Sequence, residues 1–166
     1  MYLIDDTNID KIKGVRPISE NVDFVRSMIP YTNETETEWL IPKFGYPLYK
    51  DIIDNINNYE ILLHGGSYND DTEYFEGLYS AIGYLAYSRF VLNHNISVTQ
   101  LGVLTNVDNQ FERNASESQI KRISNDAKEI GLKHLAHCVN YLIFVGKITE
   151  CRTKVKSKSN IKVIGR

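Results

Sequence analysis

The stretch "YFEGLYSAIGYLAYSRFVLNHNISVTQLGVLTN", Tyr74 to Asn106, decides the architecture. Between Glu76 and Arg89 it carries no charged side chain. Leu78, Ile82, Leu85, Arg89 and Leu92 recur at helical spacing and form one face. The opposite face carries Tyr84, Tyr87 and Val91, with Gly77, Ala81, Gly83 and Ala86 between the two. A helix that is apolar on several sides is either central in its domain or covered on its second side by another chain. Asp70 and Glu73 have capping-box spacing, which predicts a helix from Asp71 to Asn93, roughly 34 Å long at about 1.5 Å per residue. Residues 95–113 then lose the helical period. Loops of that length inside a compact domain are usually functional or bound to something. Within this loop "SVTQLGVLTNV" is β-branched, with Gly102 as a hinge or bulge, and predicts a short strand or hairpin.

Toward the N-terminus, Ser19 is a helix N-cap in "RPISENVDFVRSMIP", with Val22, Val25, Met28 and Ile29 on one face and Pro30 as the stop. A second, short helix is predicted in "YTNETETEWLIPKFG". Asn33 and Glu36 cap it, Glu34, Glu36 and Glu38 sit in its first turns, and it ends near Pro42 and Gly45. Pro47 then opens a helix with an apolar stripe at Leu48, Ile52 and Ile56. "HGGSYND" reads as a loop.

Toward the C-terminus, a long helix starts near Asn114 or Ser116. Its early face is Ile120, Ile123, Ala127 and Ile130, and after Gly131 the apolar positions shift to Leu132, Leu135, Val139 and Leu142, which predicts a bend or break at Gly131. Beyond Gly146 "RTKVKSKSNIKVIG" alternates and reads as an extended arm. Residues 147–166 hold seven basic residues and one acid, a net of +6, so the remainder of this 166-residue chain carries −8. A basic arm on an acidic body seeks an acidic surface: nucleic acid, another protein, or the body of a neighbouring copy. The organisation expected is a mainly α-helical domain of about five helices over 1–146, with a projecting β-like loop at 95–113 and a basic extended arm over 147–166.

Little in the chain carries catalytic chemistry. Two cysteines, Cys138 and Cys151, make no disulfide framework. His134, His137 and Cys138 share a helix face and Cys151 follows, yet a structural zinc site needs four identifiable ligands and a catalytic one an obvious base. His64 in "HGGS" belongs to no phosphate loop. No carboxylate stands out as embedded among apolar neighbours, as an acid–base catalyst would be. The expectation is a protein that is not an enzyme and uses neither metal nor cofactor. The uncharged run is too short, and too rich in Gly, Ser and Tyr, to span a bilayer. Nucleic-acid binding is the competing reading, through Arg152, Lys154, Lys156 and Lys158. The arm, however, has no aromatic to stack on bases.

The segments "EWLIPKFGYPLYKDII" (Glu38 to Ile53) and "AIGYLAYSRFVLNHNISVTQLGVLTN" (Ala81 to Asn106) resemble a family of small virion proteins of Bacteroidetes phages, crAss-like phages included. "GLKHL", Gly131 to Leu135, matches the family's last helical step, and the resemblance covers roughly 18–145. It implies a head–tail connector or adaptor subunit: a ring of copies, twelve-fold in that family, beneath the portal protein. Neighbouring tail or adaptor rings would be its further partners, and genomic DNA would be met only in the channel. Such a protein assembles in the host cytoplasm, resides in the virion at the head–tail interface, and has no membrane partner. On this reading Tyr84, Tyr87, Val91, Leu101, Gly102 and Val103 lie between copies. Arg152, Lys154, Val155, Lys156, Lys158, Ile161 and Val163 dock the arm on a partner.

Overall fold

The structure is a computed structural model, and it describes residues 2–5, 9–12, 26–93, 96–99, 102–105 and 117–149. Strands 96–99 and 102–105 are described through their backbone. The described chain is mainly α-helical with two small antiparallel hairpins.

After a 3₁₀ turn at Ile9–Lys11, the first long element is helical from α1 (Ile29–Thr35) through a π-helical turn (Glu36–Leu40) into α2 (Ile41–Phe44). Neither proline stops it. Pro30 stands in the first turn of α1 and Pro42 in that of α2. Pro30, at the start, gives up an N–H that has no intrahelical acceptor, whereas Pro42 directly follows the π-helical turn, where the regular i→i−4 ladder is already interrupted. In consequence Asn33 and Glu36 are interior residues rather than caps, and the cap at Ser19 lies outside the described residues. Thr32, Glu36, Leu40 and Phe44 are buried at four-residue intervals. A 3.6-residue helix would carry such a stripe slowly off its face. The wider turn, marked by the Ile41 N–H bonding to the Glu36 carbonyl, holds it in line. Gly45, with φ +78°, ends the element.

Helix α3 (Tyr46–Asp54) has Pro47 in its first turn and buries Ile52, with Leu48 half-buried, as its stripe predicts. It breaks at Asn55, so Ile56 belongs to the following 3₁₀ turn, Ile56–Tyr59, which leads into α4 (Glu60–His64).

The segment read as loop and helix start is instead a hairpin. Strand β1 (Gly66–Tyr68) pairs with β2 (Glu73–Phe75), and Asn69, Asp70 and Asp71 turn the corner at φ 54°, 53° and 61°. Asn and Asp tolerate the left-handed region better than other side chains do. Asp70 and Glu73 therefore imitate a capping box while serving a turn. Helix α5 (Leu78–Asn93) starts seven residues later than its predicted Asp71 and spans about 24 Å. Gly77 (φ +83°) and Gly65 (φ +84°) bring the two chain passes together before it. A Cβ on Gly77 would fall 2.3 Å from the Gly65 nitrogen.

Helix α5 is the centre of the fold: ten of its residues are buried on several sides. Its main partner is α6 (Glu117–Phe144), which runs antiparallel to it, Gly131 meeting Leu85 and the Ser124 hydroxyl donating to the Ser88 carbonyl at 2.8 Å. Gly131 neither breaks nor interrupts α6. Buried Ser124, Ala127, Gly131, Leu135, Cys138 and Leu142 form one seam through it, while Ile123 and Ile130 are 44% and 40% exposed. Gly146 (φ +73°) ends the helix, with the Lys147 N–H bonding to the Leu142 carbonyl at 2.8 Å.

Strands β3 (Ile96–Thr99) and β4 (Gly102–Thr105) form the hairpin expected in the long loop. Gly102 pairs with Thr99 in an unbroken register, so it is not a bulge. The arm from residue 150 onward lies outside the described residues. Among the described residues, no helix is long and apolar enough to cross a membrane.

Candidate assembly surface

Tyr84, Tyr87 and Val91 share one flank of α5 and are half-buried. Their own chain covers part of them. Tyr84 lies against the His134 ring, centroids 5.6 Å apart, and Tyr87 and Val91 pack on a small cluster of Met28, Ala86 and Phe90. Tyr31 closes that cluster with an edge-to-face contact to Phe90. The uncharged helix is thus central first, and its Tyr84–Val91 flank keeps area to spare.

That flank continues onto α6. Ile130 stands one turn before His134, and Ile123 two turns earlier, next to the Ser124 that bonds to Ser88. Helical geometry sets Ile123, Ile130 and His134 on the side of the seam that borders Tyr84. The result is an apolar strip of Tyr84, Tyr87, Val91, Ile123 and Ile130 across two antiparallel helices. Ile123 and Ile130 are the members that sequence reading placed on one face with Ala127, which is buried. Gly102 and Val103 lie on the hairpin that follows the Val91 end of α5, whereas Leu101 is outside the described residues.

On another side of α5 the structure uses charge structurally. Arg89 pairs with Glu34 at 2.8 Å and also with Glu38, residues four apart on one helix face. A cleft of about 320 Å³ opens beside it, lined by Trp39, Leu92, Asn125 and Lys128, with the Lys128 ammonium 5.3 Å from the Trp39 ring centroid.

Glu36 points the opposite way and is fully buried. Its Oε2 accepts from the Leu3 N–H at 2.7 Å and from the Tyr49 hydroxyl, and its Oε1 accepts from the Ile4 N–H at 2.9 Å. This is the embedded carboxylate that sequence reading did not find. Burial holds its carboxyl above the ordinary range, while the Tyr49, Leu3 and Ile4 donors pull the other way. The Tyr49 phenol is raised in turn, by burial and by this neighbour. All three donors come from the chain itself, so the arrangement anchors the N-terminal segment. The available signal was the i, i+4 pairing of Glu34 with Glu38, which leaves the glutamate between them on the other face.

The "HLAHC" residues do not converge. Cys138 faces the core, where burial pushes its thiol up to about 12. His134 leans on Tyr84, its basicity lowered by burial, and His137 is only half-buried. Among the described residues, no group of three His, Cys, Asp or Glu could hold a metal ion, and Cys151 lies outside them.

Neither the curated proteins nor the solved structures contain a match to this chain. A family model does match, over residues 40–145, which takes in the helices from α2 to α6, the two hairpins and the strip just described, and leaves out α1. The chain belongs to DUF6712, a family of unknown function.

Proposed function

We propose that this chain is a structural virion protein, the subunit of a head–tail connector or adaptor ring that joins the portal to the tail of a bacteriophage and lies along the DNA passage. The observation that carries the reading is the apolar strip of Tyr84, Tyr87, Val91, Ile123 and Ile130, on a domain already large enough to bury its own core. A ring protomer needs a second apolar face for its neighbour, and segments that reach beyond its body. The strip, the β3–β4 hairpin and the basic arm fill these parts. The resemblance in 38–53 and 81–106 supplies the virion context. Mass photometry of the protein alone and with portal tests the proposal. Oligomers are expected that Tyr87→Glu or Ile123→Glu abolishes while circular dichroism stays helical. Unaltered oligomers from both variants would show that the strip serves only the monomer. A monomer that ignores portal and is retained by DNA through the arm would favour the nucleic-acid reading instead.

A further inference from the structure

Among the described residues, the β1–β2 hairpin is a two-stranded sheet with both outer edges unpaired. Among the described residues, no backbone group outside the hairpin bonds to 66–68 or 73–75. One face is seated: Tyr68 and Phe75 pack on Tyr141, and Tyr68 also on Phe144. Apolar side chains around it are open to solvent, Tyr74 at 65% and Phe144 at 55% exposed, with Ile61 and Val145 nearby in sequence to β1 and Phe144. Residues 65–77 contain four acids, Asp70, Asp71, Glu73 and Glu76, and no base. Open edges of this kind are templates for another strand.

The arm has the complementary pattern. Across 154–163 its even positions hold Lys154, Lys156, Lys158 and Lys162, and its odd positions hold Val155, Ile161 and Val163 with two serines. In an extended chain this sets every lysine on one face and every valine and isoleucine on the other. The described chain reaches Thr149 by way of Gly146. There Lys147 lies over Tyr59, 5.2 Å from its ring centroid, with Ile148 against the core, on the Leu142 side of α6. The chain's own hairpin sits on a different side, against Tyr141 and Phe144. Lys147 and Ile148 thus leave α6 on a side other than the hairpin's, and 17 residues follow Thr149.

We infer that an outer edge of the β1–β2 hairpin takes the basic arm of a neighbouring copy of this chain, residues 153–163, as an added strand. The backbone edge supplies the hydrogen bonds, the hairpin acids meet the lysine face, and Val155, Ile161 and Val163 cover exposed apolar area. This rests on the ring-subunit reading, since it needs neighbouring copies.

The test uses the full chain, with association followed by native mass and sedimentation up to millimolar concentration, and with portal present. Lys154→Glu/Lys156→Glu/Lys158→Glu in the arm and Asp70→Lys/Glu76→Lys in the hairpin should each weaken association by about tenfold. Mixing the two variants should restore it, because each arm then finds an oppositely charged hairpin on the other chain. Val163→Asp or Lys162→Pro should weaken it more than Lys156→Ala/Lys158→Ala together, and should leave the outward-pointing amides of 66–68 and 73–75, those not bonded across the hairpin, unprotected from exchange. Circular dichroism and the melting temperature of each arm variant check that the body stays folded. Association lost with Tyr87→Glu but indifferent to every arm and hairpin change overturns the inference and leaves the ring reading standing. Arm variants that alter only retention by DNA also overturn it. A chain that stays monomeric throughout, portal included, overturns both.

Discussion

Gly131 of α6 rests directly on Leu85 of α5: a Cβ at Gly131 would lie 2.7 Å from Leu85 Cγ and 3.0 Å from its backbone nitrogen. The two longest helices therefore approach as closely as they do because one of them has no side chain at the crossing.

Gly131→Ala follows from this contact. Alanine gains about 1 kcal/mol of helix propensity over glycine, while forcing a methyl into a filled contact costs about 1–3 kcal/mol. Because part of the clash is with backbone, the second effect should win. Urea unfolding should give a net loss of about 1 kcal/mol, and a stabilised variant would contradict the close crossing.

Glycines 77 and 146 separate conformational from steric cost. Both have positive φ, but a Cβ on Gly146 meets nothing within 4 Å, whereas one on Gly77 meets Gly65, His64 and Leu63 backbone atoms at 2.3–2.6 Å. Gly146→Ala should cost about 1 kcal/mol, the left-handed penalty alone. Gly77→Ala should cost about 3 kcal/mol or more, since backbone must move as well. Equal melting temperatures for the two variants would refute the distinction.

The Glu36 carboxyl gives the protein a pH dependence of stated sign. Its folded-state pKa is raised by burial, so the folded chain holds a proton more tightly than the unfolded one. The stability this brings is fully present below the ordinary glutamate pKa and is lost as pH rises through the raised value. Glu36→Gln should remove that step from the curve of stability against pH. It should also cost about 1–3 kcal/mol above the raised value, because the amide has one accepting oxygen where the carboxylate has two and leaves at least one of the Leu3, Ile4 and Tyr49 donors without an acceptor. Parallel curves for the two proteins across the acid range would show that Glu36 does not titrate on unfolding.

Cys138 should be inert in the native state. Its side chain is fully buried, and burial pushes the thiol up to about 12. Alkylation at pH 8, read as the mass of the peptide carrying Cys138, should therefore track the rate of unfolding. Complete labelling within minutes under native conditions would show that α6 opens locally at this position.

Much of the helical layout was legible. Leu48 and Ile52 showed α3 by spacing, the uncharged run marked the central helix, and the β-branched "SVTQLGVLTN" marked a hairpin. What misled were residues whose local signal has two physical uses. Pro30 and Pro42 end helices as readily as they begin them, and the choice depends on tertiary partners. Asp70 and Glu73 are spaced as a cap, yet Gly77 must meet Gly65 before a helix can start. Gly131 reads as a break when only one helix is considered and as a contact when two are. The candidate surface was half legible. Tyr84, Tyr87 and Val91 were visible as one flank of α5, but Ile123 and Ile130 matched a core stripe. Only the seam through Ser124, Ala127 and Gly131 turns them outward.

The Glu36 anchor also fixes an order of events during synthesis. Leu3 and Ile4 both end fully buried, their amides held by a carboxylate more than thirty residues downstream, which is made later than they are. That carboxylate is itself held by Tyr49, later still. These two amides therefore stay bonded to water until Glu36 has been made, and the complete set of three bonds cannot exist before Tyr49 has been made. Of the segments that meet at Glu36, the one made first is in this sense finished only when the one made last arrives.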